Sequence, residues 1–430
     1  MSLAAEPVAD GVVRVGDEAS IPHAFPTALL PTPTVQCHAA NLAWLPDGDL
    51  ACVWFGGTQE GVADISAYLS VLTAGSDAWG EPVRLSDDPT RSEQNPVLFS
   101  APDGDVWLLY TAQLAGNQDT SEVRRRVSRD GGVTWGEPTV LFPATDRGGV
   151  FVRQPPVVLP AGRILVPVFN CVTVPGEKWA GDADTSSVRV SDDGGATWAD
   201  VEVPGSLGCV HMNLVLRQDG SLWACFRSRW ADHVYETTSV DGGSTWAEPV
   251  PTPLPNNNSS IQAAAFGDGR VALVLNRSSA ADATARRVSL YDEIDDDGIR
   301  DGVDGPVLAD VDRADASNLP AASDYPTIDD SPRTAFWGAP RAPMTLGVSV
   351  DDGRTWPALL DVETGDGYCL SNNSRDGLNR ELSYPSVLPG RDGDLHLAYT
   401  WHRRAIRYVH VPADAVDGLV HDAATASGPA

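Results

Sequence analysis

The chain has 430 residues, 42% hydrophobic and 21% charged, which is a globular composition long enough for two ordinary domains or one large closed β architecture. Acidic residues outnumber basic ones by 59 to 30, and a formal charge of −29 repels nucleic acid and anionic membranes, arguing against both as partners. No segment carries the roughly 18 consecutive apolar residues of a membrane span. The first residues, Met1 to Pro7, combine neither a basic start nor an apolar run, so the expected location is cytoplasmic, or secreted if a leader has been removed.

Lys178 is the sole lysine, so nearly all positive charge is arginine, whose planar fork grips carboxylates bidentately. Cys37, Cys52, Cys171, Cys209, Cys225 and Cys369 show no short paired spacing. They read as buried free thiols, with a Cys37–Cys52 bridge as the alternative.

In chain order, Val12 to Val15 reads as a strand that returns to complete the last sheet beside residues 406–411. A tight turn then recurs at Asp47-Gly48, Asp103-Gly104, Ala161-Gly162, Asp219-Gly220, Asp268-Gly269 and Asp392-Gly393, each time between two apolar runs. A second motif recurs with its own period. It joins Ser128, Asp130, Gly132, Thr134 and Trp135, then Ser191, Asp193, Gly195, Thr197 and Trp198, with further copies ending at Trp246 and Trp356 and a worn one at Asp77-Ala78-Trp79. Aspartate and glycine make the turn, threonine favours the strand, and tryptophan plugs a core. Six hairpins at blade-like intervals predict an all-β, six-bladed β-propeller, a single domain over 1–430, with no helix-period segment of useful length.

The interval from Trp246 to Trp356 is the irregular one, and residues 279–340 read as an acidic insertion within blade 5. Asp295, Asp297 and Asp301 alternate there as oxygen ligands do in a calcium loop, or form a solvated acidic loop. No cofactor is otherwise required by the sequence.

In a four-stranded blade both turn motifs fall at one end. The opposite end carries the starts of the innermost strands and the loops between second and third strands, where six blades converge. The strand starts bring His38, Asn95, Arg153, His211, Asn213, Glu381 and Tyr384 to that mouth. The loops bring Glu60, Asp64, Arg227, Arg229, Arg277, Trp401 and Arg403, and Arg341 opens the third strand of blade 5. Polar and charged groups dominate this end, although a hydrated mouth without a specific ligand would have the same composition.

The recurring turn with Ser, Asp, Gly, Thr and Trp resembles the Asp box of the sialidase (neuraminidase) superfamily, the BNR repeat. Cys37-His38-Ala39, Gly56-Gly57-Thr58-Gln59-Glu60, Gln94-Asn95-Pro96, Ser383-Tyr384-Pro385 and Trp401-His402-Arg403 resemble a bacterial group of predicted sialidases. The resemblance implies an exo-acting hydrolase of a carboxylate-bearing sugar. Arg227 and Arg341 would hold the carboxylate, Tyr384 would be the nucleophile, and Asp64, or else Glu60, the acid/base. Where the family pattern has its first arginine this chain has Cys37-His38-Ala39, and no carboxylate stands near His211 to activate the tyrosine. Glu381 is the substitute expected for that role. Two alternatives stand: a uronate lyase using His38 as a proton carrier, and a non-catalytic glycan-binding propeller. The expected partner is a carbohydrate or glycoconjugate, and the chain a monomer or weak homo-oligomer.

Overall fold

The computed structural model describes residues 9–15, 20–173, 179–288, 294–295, 298–299, 307–311 and 333–426. Six sheets of four or five strands surround one axis, and each is an antiparallel blade. The innermost strands are Gln36–Trp44, Arg91–Ser100, Gly148–Val152 (continued by Val157–Val158), Cys209–Leu216, Gln262–Ala265 and Leu382–Pro389. The predicted propeller is therefore the fold.

Strands here are buried on both faces, and the pleat sends alternate residues to the two neighbouring blades. In the second strand of blade 1 (Leu50–Gly57), Cys52 and Trp54 pack toward blade 6, whereas Ala51 and Val53 pack toward blade 2. Each pair of adjacent blades shares such an apolar cluster, so the ring has no exposed sheet face to cover.

The recurring turn behaves as its composition dictates. Asp193 accepts from the Thr197 backbone N–H at 2.9 Å and from the Thr197 hydroxyl at 2.6 Å, while Ser191 Oγ accepts from the Gly195 N–H at 2.8 Å. Gly195 has φ +88°, and a Cβ there would meet Trp107 of the preceding blade at 2.5 Å. Glycine is needed at that position for both conformation and space.

Ring closure differs in detail from the sequence reading. Pro26–Leu29, not Val12 to Val15, pairs with the last strand Ala405–Val411, and Arg14–Val15 adds outside it. Pro26–Leu29 has the buried residues Ala28 and Leu29 to place against blade 6, whereas Arg14 and Val15 are exposed. A 14-residue helix, Ala413–Ala426, was also not anticipated. Val416 is buried, and Ala415, Leu419, Val420 and Ala423 pack beside it on the blade 5–blade 6 cluster. That three-four spacing was legible but short. Among the described residues no helix is long and apolar enough to cross a membrane. The six cysteines are free and buried, so the Cys37–Cys52 bridge is absent.

The insertion departs from blade 5 between Val271–Asn276 and Met344–Ser349. Asp297 and Asp301, and the side chain of Asp295, lie outside the described residues.

Candidate active site

Four of the innermost strands share one device at the end away from the recurring turns. Each breaks its pairing register by a bulge, between His38 and Asn41, Gln94 and Val97, Val210 and Asn213, and Ser383 and Ser386. Within each bulge one non-glycine residue takes a left-handed backbone: Ala39 (φ 61°), Asn95 (50°), His211 (54°) and Tyr384 (51°). Such conformations are costly for residues with a Cβ and persist where surrounding structure enforces them. Here the bulges turn Asn95, His211 and Tyr384 onto one axial cavity.

That cavity measures about 20 Å³ and is lined by Glu60, Asn95, His211, Arg227, Arg341, Tyr384 and Arg403 among the residues expected at this mouth. At its centre the Tyr384 hydroxyl oxygen accepts from Arg227 Nη1 at 2.6 Å. The guanidinium groups of Arg153, Arg227 and Arg341 lie 5.4, 5.6 and 5.7 Å from the phenol ring centroid. Arg227 Nε donates to Asn258 Oδ1 at 2.7 Å, and no carboxylate pairs with it among the described residues. Burial pushes its pKa down to about 10.

Glu381 is fully buried beneath the cavity. Arg341 Nη1 donates to both its oxygens at 3.2 Å, Arg403 Nε donates at 2.6 Å and Ser383 Oγ at 2.7 Å. Burial pushes this carboxyl up, but Arg341 and Arg403 overrule it and hold the pKa at about 2. Glu381 is thus an ionised counter-charge with both oxygens engaged by donors. It makes no hydrogen bond to Tyr384, which corrects its expected role as activating base. Arg403 also donates to Glu60 at 2.5 Å, and Glu60 is the carboxylate on the cavity wall.

His38 and His211 flank Tyr384, with ring centroids 4.0 and 5.5 Å away. Burial, reinforced by the surrounding arginines, pushes both pKa values well below 6.5, so both rings are neutral. Five arginines (153, 227, 229, 341 and 403) then face three carboxylates (Glu60, Asp184 and Glu381). An excess of buried positive charge within a chain of net charge −29 is expensive unless an anion completes it.

The remaining expected residues stand elsewhere. His38 lies behind Tyr384, its Nδ1 bonded to Thr400 Oγ1 at 2.8 Å, and does not line the cavity. Arg153 also lies behind the tyrosine, where its Nη2 donates to the carbonyls of Ala40, Tyr384 and Pro385 and joins blade 3 to blades 1 and 6. Asp64 is exposed and accepts from the backbone N–H and hydroxyl of Thr58, because the short loop folds its carboxylate back against Gly57. Asn213 accepts from the Ala263 N–H and pins blade 4 to blade 5, since the bulge turns His211 rather than Asn213 to the cavity. Arg277 pairs with Asp361 at 2.8 Å on the surface. Trp401 donates to Glu363 at 3.2 Å and packs, half-buried, on the blade 5–blade 6 core, apart from the residues that line the cavity.

Sequence reading placed Arg229 at this mouth but missed Trp337, and both stand on the cavity wall. Arg229 donates to Asp184 at 2.6 Å and lies 5.1 Å from the Trp337 ring. Arg229 was read from the same loop as Arg227, whereas Trp337 belongs to the returning end of the insertion and carried no signal.

These shifts fix an acid response. Below pH 6.5 unfolded chains protonate histidines that stay neutral when folded, and below 4.5 they protonate a glutamate that stays ionised down to about 2. The unfolded state then binds more protons, so stability falls as pH falls, by up to about 1.4 kcal/mol per pH unit for each such group. Urea unfolding at pH 7 and pH 5 should show a lower midpoint at pH 5. Equal midpoints would mean that neither histidine is held neutral.

A family model described as a BNR repeat-like domain matches residues 48–397. No curated protein matches by sequence. Among solved structures, the Hadza microbial sialidase Hz136 superposes with TM-score 0.60 at 14% identity, covering 89% of this chain and 66% of that one. The chain thus spans slightly less than two thirds of that sialidase. The intramolecular trans-sialidase from Ruminococcus gnavus, in complex with oseltamivir carboxylate, gives 0.59 at 13%, covering 96% and 99%. A protein of unknown function from Dyadobacter fermentans gives 0.59 at 13%, covering 94% and 98%. Likeness at such identities is likeness of fold.

Proposed function

This chain belongs to the BNR repeat-like domain family, and on that premise we propose that its axial cavity takes a carboxylate-bearing sugar and cleaves it as an exo-acting, sialidase-type glycoside hydrolase. The observation that carries the reading is the Tyr384 hydroxyl at 2.6 Å from Arg227, inside a buried cluster with more guanidinium than carboxylate groups. Arg227 and Arg341 hold the sugar's carboxylate. Tyr384 gives up its phenolic proton to solvent, with the Arg227 guanidinium stabilising the phenolate, and attacks the anomeric carbon as the bond to the leaving-group oxygen breaks; water then releases the sugar from the tyrosine. Glu60 replaces Asp64 as acid/base, because it alone of the two reaches the cavity.

The test is turnover of sialosides and uronosides by the full chain and by Arg227→Met. Wild type should release the free acidic sugar, and the variant should raise KM by about 10–100-fold, as expected for loss of a buried charged contact. The variant leaves the Asn258 and Tyr384 oxygens without this donor, so a stability loss of about 1–3 kcal/mol is expected and a parallel unfolding curve separates it from the change in KM. Binding without product would leave a glycan-binding propeller, and an ultraviolet-absorbing unsaturated product would indicate a lyase. Equal KM in both proteins would remove Arg227 from the reading.

A further inference from the structure

The opposite end of blade 6 carries a second cluster that the axial cavity does not use. Asp394 and His396 stand two residues apart around the start of the second strand (Leu395–Trp401), so their side chains share one face. His410, on the neighbouring strand Ala405–Val411, is the direct cross-strand partner of His396. Asp394 Oδ2 lies 2.8 Å from His410 Nε2 and 3.2 Å from His396 Nε2, and one ligand atom from each of the three falls within 4.8 Å of the others. The two imidazoles stack at 4.9 Å with 9° between their planes.

The surroundings hold these groups in place. His396 Nδ1 is hydrogen-bonded to the Tyr408 hydroxyl at 2.7 Å, which leaves Nε2 directed at Asp394. Outer partners of this kind orient metal-ligating histidines. A Cβ at position 390 would meet Asp394 Oδ1 at 1.9 Å, so Gly390 is the residue that leaves room for the carboxylate. The Trp44 ring edge closes the far side of His396, with centroids 5.2 Å apart.

We infer that Asp394, His396 and His410 bind a divalent transition-metal ion of the zinc class. Two imidazoles and one carboxylate suit zinc, cobalt, nickel or copper better than calcium or magnesium. Three protein ligands leave a fourth position to water. Ligand atoms around one zinc ion at about 2.0–2.1 Å stand nearer together than the widest separation here. Rotation of the half-buried His410 draws them in. The chain's charge of −29 favours cation capture.

The test uses the full chain, stripped with chelator and titrated with zinc sulfate by calorimetry, then with cobalt(II) to read its visible ligand-field bands. Wild type and His421→Ala, a histidine outside the cluster, should each bind one ion with the same affinity. His410→Ala should lose more than about 100-fold in affinity and lose the cobalt bands. Asp394→Asn, which keeps the side chain's shape, should weaken binding in the same direction, guarding against a folding defect in the first variant. Undiminished binding in both His410→Ala and Asp394→Asn, or no ion bound by wild type, would overturn the assignment.

Discussion

Glu381→Ala should destabilise the propeller by about 3–5 kcal/mol, the usual effect of removing one member of a buried ion pair. Glu381 receives Arg341 on both oxygens and Arg403 on one, and all three side chains are buried. Its removal strands Arg341 without a counter-charge, while Arg403 keeps only Glu60. No nearby carboxylate can swing in, because the other acid at the cavity is already committed. Glu381→Gln retains an acceptor for one guanidinium and should fall between the variant and wild type. Denaturant unfolding measures this directly, and a loss below about 1 kcal/mol would show that the pair is solvated and not buried as described.

Tyr384→Phe should lower turnover of whichever acidic glycoside wild type cleaves by about 10³-fold or more, equivalent to about 4 kcal/mol of transition-state stabilisation. The variant keeps the ring that packs on His38 and faces Arg153, and it removes only the oxygen that Arg227 holds. Folding should therefore be nearly intact, and a parallel unfolding curve separates loss of chemistry from loss of structure. KM should change far less than kcat, since the carboxylate contacts belong to the arginines. A kcat within tenfold of wild type would exclude Tyr384 as nucleophile. The same measurement distinguishes this reading from one in which the tyrosine merely fills the axis.

Local chemistry alone determined the architecture. Aspartate–glycine turns and the Ser, Asp, Gly, Thr and Trp motif specify hairpins whatever surrounds them, and their spacing repeats through the chain, so six blades were legible without coordinates. The same periodicity located the inner-strand starts, and Tyr384, His211, Asn95 and Arg227 do meet there. Tertiary structure decided which neighbour faces the axis. A bulge of one residue sends His211 to the cavity and Asn213 to the next blade, and no propensity marks where that bulge falls. Partner choice was equally non-local. Asp64 turned back onto Thr58, Arg277 found Asp361, and Glu381 was captured by two arginines from sequence-distant segments. Turns are written in neighbouring residues, whereas a pocket is written in distances between residues that only ring closure brings together.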